Sequence, residues 1–322
     1  MTTSVKASVL ISNYNYGSFL TEAVESCLKQ THQNIEVIIV DDGSTDESRD
    51  RINELTAKDE RVTGVFQENG GQAVALNAAA AKATGDIWFL LDSDDWFHSN
   101  YVEEALKVYR DHPECDFLTC GLHEFGAAEG NLFDDYPDRL TDIGYTRIIT
   151  HQKQLFIGGR TSTNSFSKAA AGKIFPVPHA EDYRLCGDFP IVAGASIAGC
   201  RKFYLKEAFV EYRVHDNNIW RTKKISACKR YQSEVSYRLL FTRFSLTDPE
   251  LDRLCRNPLR KLLLAELVTG NKSPTLTKRY ADAIMHHSAD PVWKRYVTAI
   301  QLRLRPKAFM DSYKARWLRR PQ

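Results

Sequence analysis

The chain has 322 residues, 43% hydrophobic and 26% charged, with 17 glycines and 11 prolines. These proportions describe a globular protein with a sizeable core and exclude a disordered or fibrous chain. The formal net charge of +2 hides an asymmetry: residues 221–322 hold 23 Lys+Arg against 8 Asp+Glu, and residues 1–220 hold 20 against 33. The expected organisation is therefore two regions, 1–220 and 221–322, with different partners. No apolar run reaches the length of a membrane span, and the first apolar stretch turns polar after Ile11, too soon for a signal peptide. The expected location is cytoplasmic. The 7 cysteines show no CxxC and no zinc spacing, so they read as small buried hydrophobes and reduced thiols.

The first 120 residues alternate strand and helix patterns. Short apolar runs of β-formers predict strands at 7–11, 36–40, 62–66, 87–91 and 117–119. Helical spacing predicts helices at 19–28, 72–82 and 101–109. Ser44-Thr45-Asp46-Glu47 matches a capping box and predicts a helix through about residue 55. Buried strands alternating with helices imply an α/β fold with a parallel, helix-covered sheet. Residues 121–160 lose this rhythm and read as an insertion or acceptor-side loop region. Helical periodicity returns at 167–173 and 191–199, and short strands are expected at 203–205 and 209–214. From Trp220 the pattern is basic and helical, broken by prolines.

In an open α/β sheet, ligands bind at the carboxyl ends of the strands. Three polar clusters fall there: Ser12 to Tyr16, Asp41 to Asp46, and Asp92-Ser93-Asp94-Asp95. Three carboxylates in four residues repel one another unless a cation sits among them, and hard oxygen donors suit Mg²⁺ or Mn²⁺. A surface acidic turn or a helix cap at Asp95 is the plainer reading, but the rigid strand before the cluster favours the cation. Asp41 and Asp42 could accept hydrogen bonds from a base or ribose, or cap the next helix. Tyr14 could stack on a base or simply pack in its loop. No GxxxxGK[ST], no GxGxxG after the first strand and no GxSxG elbow occurs. This argues against P-loop, dinucleotide-binding and α/β-hydrolase chemistry.

These residues resemble glycosyltransferase family 2, inverting enzymes with a GT-A-type fold. The resemblance rests on Ser8-Val9-Leu10-Ile11-Ser12-Asn13-Tyr14-Asn15, on residues 23–31, on residues 36–46 with Asp41-Asp42-Gly43-Ser44, on Asn69-Gly70-Gly71, and on Asp92-Ser93-Asp94-Asp95. It covers about the first 115 residues, loosens over 160–220 and is absent beyond. One departure is Ser12, where the family usually carries proline; it changes loop rigidity rather than chemistry. The resemblance implies a GT-A-type nucleotide-sugar-binding sheet flanked by helices. It implies that Ser12, Tyr14 and Asp42, with Asp41 beside them, hold the nucleoside, and that Asp92 lies near the ribose. Asp94 would ligate Mn²⁺ or Mg²⁺ with Asp95 close by.

Inverting transfer needs a general base for the acceptor hydroxyl. The register resembling the family selects Asp188, with Asp182 second. A helix-capping role for Asp188 is the alternative, and a helix N-terminus would hold its pKa low. Tyr212-Arg213-Val214-His215 also resembles a family stretch, so His215 is either an active-site residue near metal or diphosphate, or structural.

The expected donor is a nucleoside-diphosphate sugar with uracil as the implied base. The acceptor is the hydroxyl of a saccharide or lipid-linked saccharide, in surface polysaccharide or glycolipid synthesis. The basic 221–322 region either touches an anionic membrane face or packs on the acidic region as solvated helices. No nucleic-acid motif accompanies the charge. Two other functions stay open: sugar-phosphate nucleotidyl transfer, which would want a Gly-rich phosphate loop, and a non-catalytic sugar-nucleotide-binding or scaffold protein.

Overall fold

The computed structural model describes residues 5–147, 149–150, 156–178, 180–184 and 186–215, with the side chain of Asp182 excepted. The basic 221–322 region, with its expected helices and its membrane or packing role, lies outside the described residues.

Within them, the expected α/β alternation forms. The first strands are β1 (Ala7–Asn13), β2 (Ile35–Asp41), β3 (Val62–Phe66) and β4 (Ile87–Asp92). Between them run α1 (Gly17–Leu28), α2 (Ser48–Lys58) and α3 (Gln72–Ala80). Strands β3-β2-β1-β4 lie parallel in that order. The apolar residues of β1, β2 and β4 are buried on both faces, as a helix-covered parallel sheet requires. Register then aligns the functional ends: Ser12 lies opposite both Val40 and Asp92, and Asn13 opposite Asp41.

The second half departs from the all-parallel expectation. After β5 (Trp96–Phe97) and α4 (Tyr101–Asp111), β6 (Phe117–Gly126) runs well past the expected Thr119. Strands β7 (Gly130–Leu132) and β8 (Leu140–Tyr145) replace much of the expected loop. A four-residue strand, β9 (Asn164–Ser167), inserts antiparallel between β4 and β6. The sheet is thus mixed. Strand β10 (Arg201–Val214) is one strand rather than two, bulged between Leu205 and Val210. Helix α5 (Lys168–Ile174) starts at Ser167, whose hydroxyl accepts from Ala170 N at 3.2 Å. Helix α6 (Asp188–Ile197) follows a short 3-10 turn at Ala180–Asp182.

The capping box at 44–47 does not form. Asp46 instead accepts from Ser48 N at the start of α2 and from Gly17 N at the start of α1, both at 3.0 Å. One carboxylate thereby ties two helix N-termini together. The five cysteines among the described residues are free thiols, four of them buried.

Candidate active site

The aspartate cluster sits where β4 ends. A tight turn (Asp95 N to Asp92 O, 3.1 Å) folds its carboxylates together. Asp92 N donates to Ser162 Oγ at 3.0 Å, and Asp92 Oδ1 accepts from Gln72 Nε2 at 2.7 Å. Asp95 is buried, with Oδ2 accepting from Ser162 Oγ (2.6 Å) and Oδ1 from Arg213 N (3.0 Å). Both of its oxygens are thus engaged by the protein, so Asp95 braces the turn to β10. Asp94 Oδ2 lies 3.0 Å from His215 Nε2. Burial, then repulsion from Asp94, raises Asp92 and Asp95 well above the usual carboxylate range.

The other two strand ends are organised inward. Asp41, 1% exposed, accepts from Asn13 Nδ2 and from Ser44 N, both at 3.1 Å. Asp42, 3% exposed, accepts from Gln67 Nε2 (2.7 Å), Gly70 N (2.8 Å) and Gly71 N (2.7 Å). These carboxylates shape the loops around the rim. Ser12 is half-buried at the same rim, and the Tyr14 ring is 48% exposed.

Asp188 is the first residue of α6, after the N-cap Gly187. Cys186 Sγ donates to its Oδ1 at 3.1 Å. Its pKa is raised by burial, opposite to the expectation from a helix N-terminus. Asp188, at the start of α6, lies close enough to Asp92, at the end of β4, for the two carboxylates to repel each other. Asp182 lies in the 3-10 turn, and its side chain is outside the described residues.

His215 follows β10 and packs on Tyr16 (ring centroids 5.5 Å apart) and Phe19 (5.3 Å). Residues that sequence reasoning missed complete the rim. The Arg213 guanidinium donates from Nε to Asp94 O at 3.1 Å and pairs with Glu22. It is held over Phe19 (4.6 Å), Phe125 (4.8 Å) and Trp96 (5.1 Å). Arg160 stands over Tyr212 at 4.2 Å, is bound to Glu124 and lowers the Asp188 pKa. Ser162 and Gln72 had no local signal, because each acts on residues at least 20 positions away.

Among the described residues no group of three or more His, Cys, Asp or Glu forms a cage for a metal ion. Two convergent donors, Asp94 and His215, nonetheless suit Mn²⁺ or Mg²⁺, which complete their shells with phosphate oxygens and water.

The family model for glycosyl transferase family 2 matches residues 8–175, which carry every strand from β1 to β9 and the aspartate cluster. The chain belongs to glycosyl transferase family 2. The family match ends before Asp188 and His215. An uncharacterised glycosyltransferase of Nostoc sp. is 32% identical over 221 residues, covering 66% of this chain and 66% of that protein. TuaG of Bacillus subtilis, named for teichuronic acid biosynthesis, is 29% identical over 225 residues, 70% of this chain and 85% of that one. Four further curated glycosyltransferases are matched over only 18% to 49% of their own length. The fold is similar to that of TarS 1-349 of S. aureus, solved with UDP-GlcNAc, at a TM-score of 0.59 and 18% identity. That likeness covers 92% of this chain and 81% of TarS 1-349. The GT-A-type architecture expected of a family 2 glycosyltransferase domain is therefore present. No helix among the described residues is long and apolar enough to cross a membrane.

Proposed function

We propose that this chain is a metal-dependent, inverting glycosyltransferase. It would move a sugar from a nucleoside-diphosphate donor, a UDP-sugar first among them, to a hydroxyl of a saccharide or lipid-linked saccharide. The observation that carries this reading is the meeting of Asp92 and Asp94, at the end of β4, with Asp188 at the start of α6 and His215 after β10.

The donor's base is assigned to the exposed Tyr14 ring and to Ser12, and its ribose to the neighbourhood of Asp92. Asp41 and Asp42 support this pocket through the loops they hold. Asp94 and His215 would hold Mn²⁺ or Mg²⁺, which neutralises charge on the leaving diphosphate when bound. Asp188 takes the proton from the acceptor hydroxyl as that oxygen bonds to the anomeric carbon. The bond from that carbon to the diphosphate oxygen breaks on the opposite face, and its electron pair leaves with the diphosphate. Attack opposite the leaving group inverts the centre. A buried, raised Asp188 is a stronger base than a free carboxylate. Positioning the two substrates in line supplies ~7–11 kcal/mol, more than one base provides. A role in surface polysaccharide or glycolipid synthesis is supported by the name of TuaG.

The test is donor hydrolysis across nucleoside-diphosphate sugars with and without Mn²⁺. Turnover of one donor only with the ion supports the reading; no turnover of any donor by folded protein overturns it. Asp188→Asn should lower kcat by about 10²–10⁴-fold while nucleotide binding persists. A lipid-linked acceptor would bring the +15 charge of residues 221–322 to an anionic surface. Flotation with anionic liposomes checks it, and a full-length chain that stays with the soluble fraction at low salt sinks that part.

A further inference from the structure

The side chain of Gln72 touches both halves of the site. Its Nε2 donates to Asp92 Oδ1 at 2.7 Å, and its Oε1 accepts from Gly187 N at 2.8 Å. Gly187 immediately precedes Asp188. The Gly187 N–H demands an acceptor and the Asp92 carboxylate a donor, so the two contacts fix the orientation of the amide. The Gln72 backbone adds a third contact, N to Arg184 O at 3.1 Å. Close packing reinforces them: a Cβ on Gly187 would lie 2.9 Å from Gln72 Cγ, and one on Gly71 2.4 Å from Arg184 Cα. The turn that presents Gln72 is itself held by Asp42, which binds the N–H groups of Gly70 and Gly71. A run of contacts therefore leads from the end of β2, through the β3–α3 turn, to the segment that carries Asp188.

From this geometry we infer that Gln72 is a positioning residue, which sets the separation between donor-side Asp92 and the acceptor-side carboxylate Asp188. The inference rests on the proposed transfer reaction. A side chain that only filled space would not need a donor aimed at one carboxylate and an acceptor aimed at the amide before the other. A misplacement of the base by about 1 Å can cost about 10²-fold in rate without removing any reacting group.

The test compares Gln72→Met and Gln72→Glu with the wild type in the full chain. Met keeps the length of the side chain and removes both bonds. Glu keeps an acceptor for Gly187 N and sets a second carboxyl against Asp92 in place of the amide donor. Amide hydrogen exchange at Gly187 should accelerate in Gln72→Met and stay slow in Gln72→Glu. For the donor that the wild type turns over, kcat should fall about 10–100-fold in both variants, while the Kd of the matching nucleoside diphosphate moves less than about threefold. Unchanged kcat in Gln72→Met, or losses in Kd as large as those in kcat, would overturn the inference. A wild type that turns over no donor would instead overturn the proposed reaction. The Gly187 exchange rates still report whether Gln72 holds that segment, so the two failures are distinguishable.

Discussion

At the scale of single residues, burial decides which protonation state each key group holds. Asp188 is raised by burial, with the hydrogen bond from Cys186, backbone N–H groups and Arg160 opposing. The ionised carboxylate is the base, so kcat/KM should climb with pH through this raised pKa and reach its plateau later than an exposed aspartate would allow. A pH profile from about 4 to 8 checks this, with Asp188→Asn losing the limb. Lys202 shows the converse. It is fully buried, donates to Ile157 O (2.6 Å) and Val192 O (2.9 Å), and lies over the Phe117 ring. Burial pushes its amine down to about 7. Two carbonyl acceptors match the two N–H bonds of a neutral amine. Above about pH 7 the unfolded chain keeps a proton at this position that the folded chain has shed, up to about pH 10. Lys202 should therefore make stability rise with pH across that window, by at most about 1.4 kcal/mol per pH unit. Lys202→Met should remove that slope in denaturant titrations.

At the scale of elements, the β3–α3 turn concentrates the constraints. Gly71 has φ +98, a region an L side chain rarely adopts, and a Cβ there would collide with the Arg184 backbone. Gly71→Ala should destabilise the fold by about 1–3 kcal/mol and lower kcat as Arg184 is displaced. Thermal unfolding and donor turnover measured on the same sample check both parts. Asp46 is a second junction, since it serves the starts of α1 and α2 together. The apolar pattern located α1 and α4 because each buries one stripe of regularly spaced apolar residues, as Tyr101, Val102, Ala105 and Val108 do in α4. It did not locate β9, whose four residues are too few to show a period, nor β5, which has two. Their partners are remote strands, so only pairing defines them.

At the scale of the whole molecule, the sheet holds like charges together at one rim. Asp92, Asp95 and Asp188 are all raised above their unfolded values. Groups raised in this way support the fold at low pH and withdraw that support as pH rises through their folded pKa values. In EDTA, stability should therefore decline as pH rises from the ordinary carboxylate range. Added Mn²⁺ or Mg²⁺ should raise Tm more at pH 7 than at pH 5, because the cation binds the ionised form. Equal ion effects at both pH values would overturn a cation seated among these raised carboxylates.

Local residue chemistry was enough to identify the parallel strands, the aspartate cluster at the end of β4 and the family, because apolar periodicity and a run of carboxylates are written in neighbouring positions. The family resemblance also pointed to Asp188 and His215, though not to what surrounds them. Tertiary structure alone decided that Asp41, Asp42 and Asp95 turn their oxygens inward, that Arg213 and Arg160 stand at the rim, and that Gln72 spans both halves. The reason is physical: a carboxylate's role follows from which donors reach it. Here those donors come from Gly71, Ser162, Arg213 and Gln72, which are brought to the rim by sheet register and crossovers rather than by adjacency in the chain.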